Sequence, residues 1–166
     1  MGRSSERPLF LRERWGAYPQ RDRGGAHRIK GIREVPSAFG STLAEWQGAG
    51  DREERWRERL MTVSFNVAAL KDGRPVGMVS GVQGELDVEL ISLWVAPFAR
   101  GQGVGDRLVG AVMAWARGQG ADRVVLSVKT DNEPARRLYG RHGFVEAGLS
   151  PESDPASPEV WFIRLL

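Results

Sequence analysis

The chain has 166 residues, 41% of them hydrophobic, with 24 Lys plus Arg against 21 Asp plus Glu, which fits one domain with a full core and leaves little room for a second. The lack of cysteine excludes a disulfide framework, a catalytic thiol and thiolate zinc, and His27 and His142 alone are poor material for any metal site, so no metal is expected. No run approaches the roughly 18 to 20 apolar residues of a membrane span and no early stretch has signal-peptide flanks, so the expected location is cytoplasmic, with no membrane partner.

The net charge of +3 is unevenly spread, because residues 1–33 hold nine basic and three acidic side chains. A basic arm of this kind admits a nucleic-acid partner, but no aromatic interleaving or reader motif accompanies it, and nucleic acid is not expected. Residues 1–25 are read as a basic segment with little pattern, beginning with a short strand around Pro8-Leu9-Phe10-Leu11, and 26–166 as the single domain. Ile29, Ile32 and Val35, then Phe39, Leu43 and Trp46, fall at helical spacing, and Thr42 with Glu45 reads as a capping box. Residues 51–60 (DREERWRERL) pair Asp51 with Arg55 and Glu53 with Arg57 at i,i+4, a solvated helical surface.

From Val63 the period changes to two. Val63, Phe65 and Val67 alternate, Lys71-Asp72-Gly73-Arg74-Pro75 supplies turn chemistry, and Val76 to Val82 completes a hairpin. A third run, Leu86 to Val95, ends at Pro97, which has no N–H for a ladder, so three antiparallel strands are expected. An amphipathic helix follows from about Gly103 to Gln119, with Val104, Leu108, Val112 and Trp115 on one stripe. Arg123 to Lys129 reads as a strand, Asn132 to His142 as a helix with Pro134 in its first turn, and Phe144 to Ala147 and Val160 to Leu165 as further strands. This order implies a β-α-β crossover with parallel strands, and Ser150 to Pro158 reads as a polar loop.

Between the third run and the helix lies Arg100-Gly101-Gln102-Gly103-Val104-Gly105. The first N–H groups of a helix lack intrahelical partners and carry the positive end of its dipole, and glycines let a diphosphate approach the backbone. With 21 Gly and 26 Arg plus Gln in the chain, an Arg/Gln-x-x-Gly-x-Gly match arises by chance about 0.4 times. Arg21 to Ala26 is a near-match, but only the second site follows an apolar strand and opens an amphipathic helix. Asp106 stands where a dinucleotide fingerprint needs its third glycine, which argues against a Rossmann site.

Taken together, Leu93-Trp94-Val95-Ala96-Pro97, the glycine turn, Asn132-Glu133-Pro134-Ala135-Arg136-Arg137-Leu138-Tyr139 and His142-Gly143-Phe144 resemble the GNAT family of acetyltransferases in order and in gaps. The resemblance is strong over 62–148, fair over 37–60 and absent before about 26. It implies an α/β fold with a central mixed sheet of six to seven strands flanked by helices. It also implies acetyl-CoA as donor and an amine as acceptor, and it allows a homodimer. The cofactor diphosphate would lie on the backbone amides of Gln102, Gly103, Val104 and Gly105, after Gly101, with Arg100 beside it as an ion partner.

The resemblance assigns further residues. Backbone N–H groups around Trp94 and Val95 would polarise the thioester carbonyl, and Asn132 and Ala135 would meet the pantetheine arm, although Asn132 is as natural a helix cap. Tyr139 resembles the family's general acid, and a phenol of ordinary pKa near 10 suits a departing thiolate; otherwise it is a core tyrosine. Glu89 precedes Val95 at the offset of the catalytic glutamate of histone-acetylating members. Glu85, Asp87 and Glu89 alternate, which would put three carboxylates on one strand face, raising one another's pKa; the alternatives are a solvated strand edge and a water chain as base. Arg136, Arg137 and Arg141 are within sequence reach of the cofactor's ribose phosphate. The expected function is direct transfer of an acetyl group to a primary amine in a ternary complex; the alternative is a CoA-binding regulatory module without turnover.

Overall fold

The computed structural model describes residues 10–13, 61–151 and 153–166. The expected helical stripes within 29–60, the near-match at 21–26 and the division at residue 25 lie outside them. In chain order the elements are β1 (Phe10–Glu13), β2 (Phe65–Lys71), β3 (Arg74–Gln83), β4 (Asp87–Val95), α1 (Val104–Gly118), β5 (Arg123–Lys129), α2 (Glu133–Arg141), β6 (Val145–Leu149) and β7 (Glu159–Leu165). A short 3-10 turn, Pro97–Ala99, separates β4 from the glycine turn. The strands form one mixed sheet in the order β1-β2-β3-β4-β5-β7-β6.

Local chemistry explains the first half. Asp72 and Gly73 have φ of 53° and 73°, the consecutive left-handed pair that matches the twist of a two-residue hairpin, and they join β2 to β3 as the turn residues predict. Strands β2, β3 and β4 are antiparallel, also as expected. The second half departs from a simple repeat. The β4-α1-β5 unit is a parallel crossover between neighbours, but β5 and β6 run parallel without touching, because β7 inserts between them and pairs antiparallel with both.

Helix α1 lies across β2, β3 and β4. Leu108, Val109 and Val112 are fully buried there, each worth about 1.5–3 kcal/mol relative to exposure. Phe65 stacks on Trp115 at 4.8 Å between ring centroids and 8° between planes. The helix approaches so closely that a Cβ on Gly81 would fall 2.8 Å from the Trp115 ring. Val88 and Leu90 of β4 and Val124, Leu126 and Val128 of β5 belong to the same core. The alternate residues, Glu89 and Ile91 on β4 and Val125 and Ser127 on β5, therefore share the opposite face of the sheet.

Candidate active site

The parallel pairing of β4 with β5 covers Asp87↔Arg123, Val88↔Val124 and Glu89↔Val125 and then stops, although β4 continues to Val95 and β5 to Lys129. Each strand keeps its outer partner: β4 stays on β3, and β5 stays on β7 along its whole length. A wedge-shaped gap thus opens inside the sheet just past Glu89. Its cause is local. Between Ile91 and Trp94, β4 carries one residue more than β3 does between Met78 and Ser80, and Ser92 takes a left-handed φ of 58°. Such a bulge bends its strand and increases the twist.

The register also decides which amides face the gap. Ala96 N–H donates to Val76 C=O at 2.8 Å, and Val95 stands opposite Gly77. In an antiparallel ladder, donors alternate sides, so the Trp94 amide turns toward β3 and the Val95 N–H and C=O turn toward the gap. The Val95 C=O accepts from Arg100 Nε at 3.1 Å, so Arg100 reaches back over the gap mouth. The side chain of Trp94 is buried.

The glycine turn sits at this end of β4. Gly101 and Gly103 have φ of 70° and 74°, a conformation in which any other residue is strained. Gly103 is the N-cap of α1, and no side chain caps that helix. The first intrahelical bond from the turn runs from Arg107 N–H to Gly103 C=O at 3.1 Å, and the Val104, Gly105 and Asp106 amides precede it. A Cβ on Gly105 would lie 3.0 Å from Leu138 of α2, so this residue must be small for the helices to meet. The Gln102 side chain is committed to the turn itself: Nε2 donates to Phe98 C=O at 2.7 Å, and Oε1 accepts from Lys71 Nζ at 2.7 Å. Only its backbone is left to face a ligand.

A carboxylate in the first turn of α1 opposes a bound anion, and Asp106 is held aside. Arg141 Nη2 donates to both its oxygens at 3.1 and 3.2 Å, and His142 Nε2 lies 3.2 Å from Oδ1. Burial alone would raise this carboxyl, but Arg141 and His142 hold it below the ordinary carboxylate range. The end of α2 is fixed in turn by Arg164 of β7, whose Nη1 donates to His142 C=O.

At the start of α2, Asn132 Oδ1 accepts from Ala135 N–H at 3.3 Å, so Asn132 is the N-cap; its amide nitrogen is not part of that bond. Tyr139 is buried, with its ring centroid 5.8 Å from Phe144 and 6.3 Å from Phe162. Phe162 pairs with Leu126 on β5, and Tyr139 belongs to the same buried core as both. Desolvation pushes its phenol above the ordinary value of 10.0. Arg136 is engaged by Thr130 C=O, Glu133 and Glu146, and Arg141 by Asp106, which leaves Arg137, 3.5 Å from Glu133, as the least committed of the three.

Glu89 is exposed and stands at the last paired position before the strands part. The three-carboxylate stripe is corrected. Gly84 N–H donates to Asp87 C=O at 2.8 Å, closing a turn, so the alternation begins only at Asp87 and Glu85 lies outside the strand. Asp87 is paired with Arg123 at 3.3 Å. Of the three, Glu89 is the one at the register position where β4 and β5 part. Sequence reasoning missed Ser92, whose left-handed backbone no glycine announces, and the reach of Lys71 from its hairpin turn to Gln102. The Asp106 contacts to Arg141 and His142 join residues 35 and 36 positions apart and leave no local signal.

The profile of the Acetyltransferase (GNAT) family matches residues 31–144. The chain belongs to this family. Within the GNAT family, it is 39% identical over 79 residues to an uncharacterized N-acetyltransferase of Mycobacterium tuberculosis, covering 47% of this chain and 51% of that protein. It is 33% identical over 97 residues to the N-alpha-acetyltransferase RimI of the same organism, covering 56% and 60%. The chain thus spans about half the length of these relatives. The fold matches that of yncA from Salmonella typhimurium, solved with its cofactor acetyl-CoA, at a TM-score of 0.73 and 17% identity over 96% of this chain and 95% of that one. Among the described residues no group of His, Cys, Asp and Glu could hold a metal ion, and no helix is long and apolar enough to cross a membrane.

Proposed function

We propose that the protein is an acetyl-CoA-dependent N-acetyltransferase in which a primary amine attacks the donor directly within a ternary complex. The observation that carries this reading is the wedge between β4 and β5, opening just past Glu89↔Val125, with an uncapped, glycine-lined helix start at its mouth. The fit is one of shape and charge: a strand-like arm can lie in the wedge along β4, where the Val95 N–H turns inward, and a diphosphate can be held by the amides that open α1. On this reading Gly101, Gln102, Gly103, Val104 and Gly105 hold the diphosphate, and Arg100, Asn132 and Ala135 border the arm.

Acetyl-CoA, when bound, supplies a thioester whose carbonyl carbon the amine attacks. The chain's own residues then have three tasks. The Val95 N–H donates to the carbonyl oxygen as charge builds there, an interaction of a kind worth about 3 kcal/mol of barrier. Glu89, on the face away from the helices, takes the proton that a protonated amine must lose before it can attack. Tyr139, on the helix face, gives its proton to the sulfur as the carbon–sulfur bond breaks; a phenol is already protonated at neutral pH, and burial raises its pKa further. Acid and base thus stand on opposite faces of the sheet, with the gap between them. Thiol release measured with acetyl-CoA and a panel of amines tests the proposal: turnover with at least one amine supports it, and tight CoA binding with no acceptor turned over points to a regulatory module.

A further inference from the structure

We propose that Lys71, at the tip of the β2–β3 hairpin, is a phosphate ligand of the cofactor site, a cation brought to the glycine turn from outside its motif. The inference rests on reading the glycine turn as a cofactor site. It starts from the antiparallel order of β2, β3 and β4, which brings the end of β2 to the same edge of the sheet as the end of β4. Lys71, the last residue of β2, reaches across that edge, and its Nζ lies 2.7 Å from Gln102 Oε1. Its ammonium therefore stands at the turn whose amides face the proposed diphosphate.

Other basic side chains around the site have contacts of their own. Arg100, the basic residue of the motif, directs its Nε to the Val95 C=O. Arg141 is bound to Asp106, and Arg136 to Glu133 and Glu146. Among the described residues no carboxylate forms an ion pair with Lys71. Its one bond here is to a neutral amide, and an ammonium has three donors on a rotatable head. One donor can stay on Gln102 while another turns to a phosphate oxygen, giving a charge-assisted bond at no loss of the existing contact. Lysine suits the place because a diphosphate seated on backbone amides needs a movable point charge rather than a planar fork.

The test measures CoA binding by calorimetry for the wild type, Lys71→Met and Lys71→Arg, with acetyl-pantetheine, which lacks the diphosphate and the nucleotide, as the second probe. Lys71→Met should weaken CoA by about fivefold to thirtyfold, as loss of a partly exposed charge-assisted bond implies. It should reduce the dependence of affinity on salt and leave affinity for acetyl-pantetheine unchanged, while Lys71→Arg recovers most of the affinity. Equal loss for both probes would show that Lys71 only braces Gln102, and unchanged CoA affinity would show no contact at all; either overturns the proposal. If Lys71→Met binds normally while Gly103→Val does not, the turn remains the cofactor site and only Lys71 is wrong. Failure of the wild type to bind CoA would bring down both readings together.

Discussion

The two helices of the described fold begin in opposite ways. At the start of α2, the Asn132 side chain accepts from Ala135 N–H, and Pro134 stands in the first turn, where its missing amide costs nothing. At the start of α1, a left-handed glycine occupies the N-cap, no side chain closes the turn, and Asp106 is drawn off by Arg141 and His142. One end satisfies itself, and the other keeps its donors open. On the proposed reading the contrast separates two jobs in one molecule: α1 starts so as to bind a ligand, and α2 starts so as to close itself.

The comparison is broken most severely at Gly103. Gly103→Val forces a β-branched residue into a φ of 74° and sets a side chain where a diphosphate would approach. CoA affinity should fall by about a hundredfold or more, the loss of several bonds to a charged ligand, as calorimetry would record. A loss of melting temperature with full affinity would mean that the turn is structural only.

Tyr139→Phe probes the other helix and should move rate rather than affinity. We expect kcat to fall by about 10 to 1,000-fold, with cofactor affinity kept. Since burial raises the phenol above 10.0, the wild-type rate should show no alkaline limb from this group below that pH. Stability follows the same sign: a raised pKa stabilises fully below the unfolded value and is lost as pH climbs beyond it, so alkaline unfolding above about pH 10 should ease in Tyr139→Phe.

Glu89 belongs to neither helix. Glu89→Gln should lower kcat/KM by about 10 to 100-fold; an unchanged kcat/KM would place the base elsewhere. The smallest effect is expected at the closed helix start, where Asn132→Ala should cost about 1 kcal/mol of stability in denaturant melts and shift CoA affinity by no more than about threefold. A larger affinity loss would show that the Asn132 amide meets the cofactor as well as capping α2.

These contrasts were legible in the sequence where the cause is local. The hairpin follows from Asp72-Gly73, the end of β4 from Pro97, and the start of α2 from Asn132 and Pro134; glycines mark both the open turn and the close contact of Gly105 with Leu138. The shape of the site depends on features that adjacent residues do not encode. The bulge that turns β4 outward is carried by Ser92, a residue with no special reputation for a left-handed backbone. The insertion of β7 between β5 and β6 depends on pairing across a loop and a helix, not on the period of any strand. The acidic stripe was overread because alternation was extended through Glu85, past the turn that Gly84 and Asp87 close.

The central claim is that the open start of α1 and the Val95 N–H facing the gap together receive acetyl-CoA. Amide resonances of the protein, followed by heteronuclear NMR while acetyl-CoA is added, test it most directly. The account predicts large shifts and slowed exchange at Val95 and over Gln102 to Gly105, with little change along β6 at the far edge of the sheet. Binding that leaves those amides unmoved, or no binding at all, would contradict it.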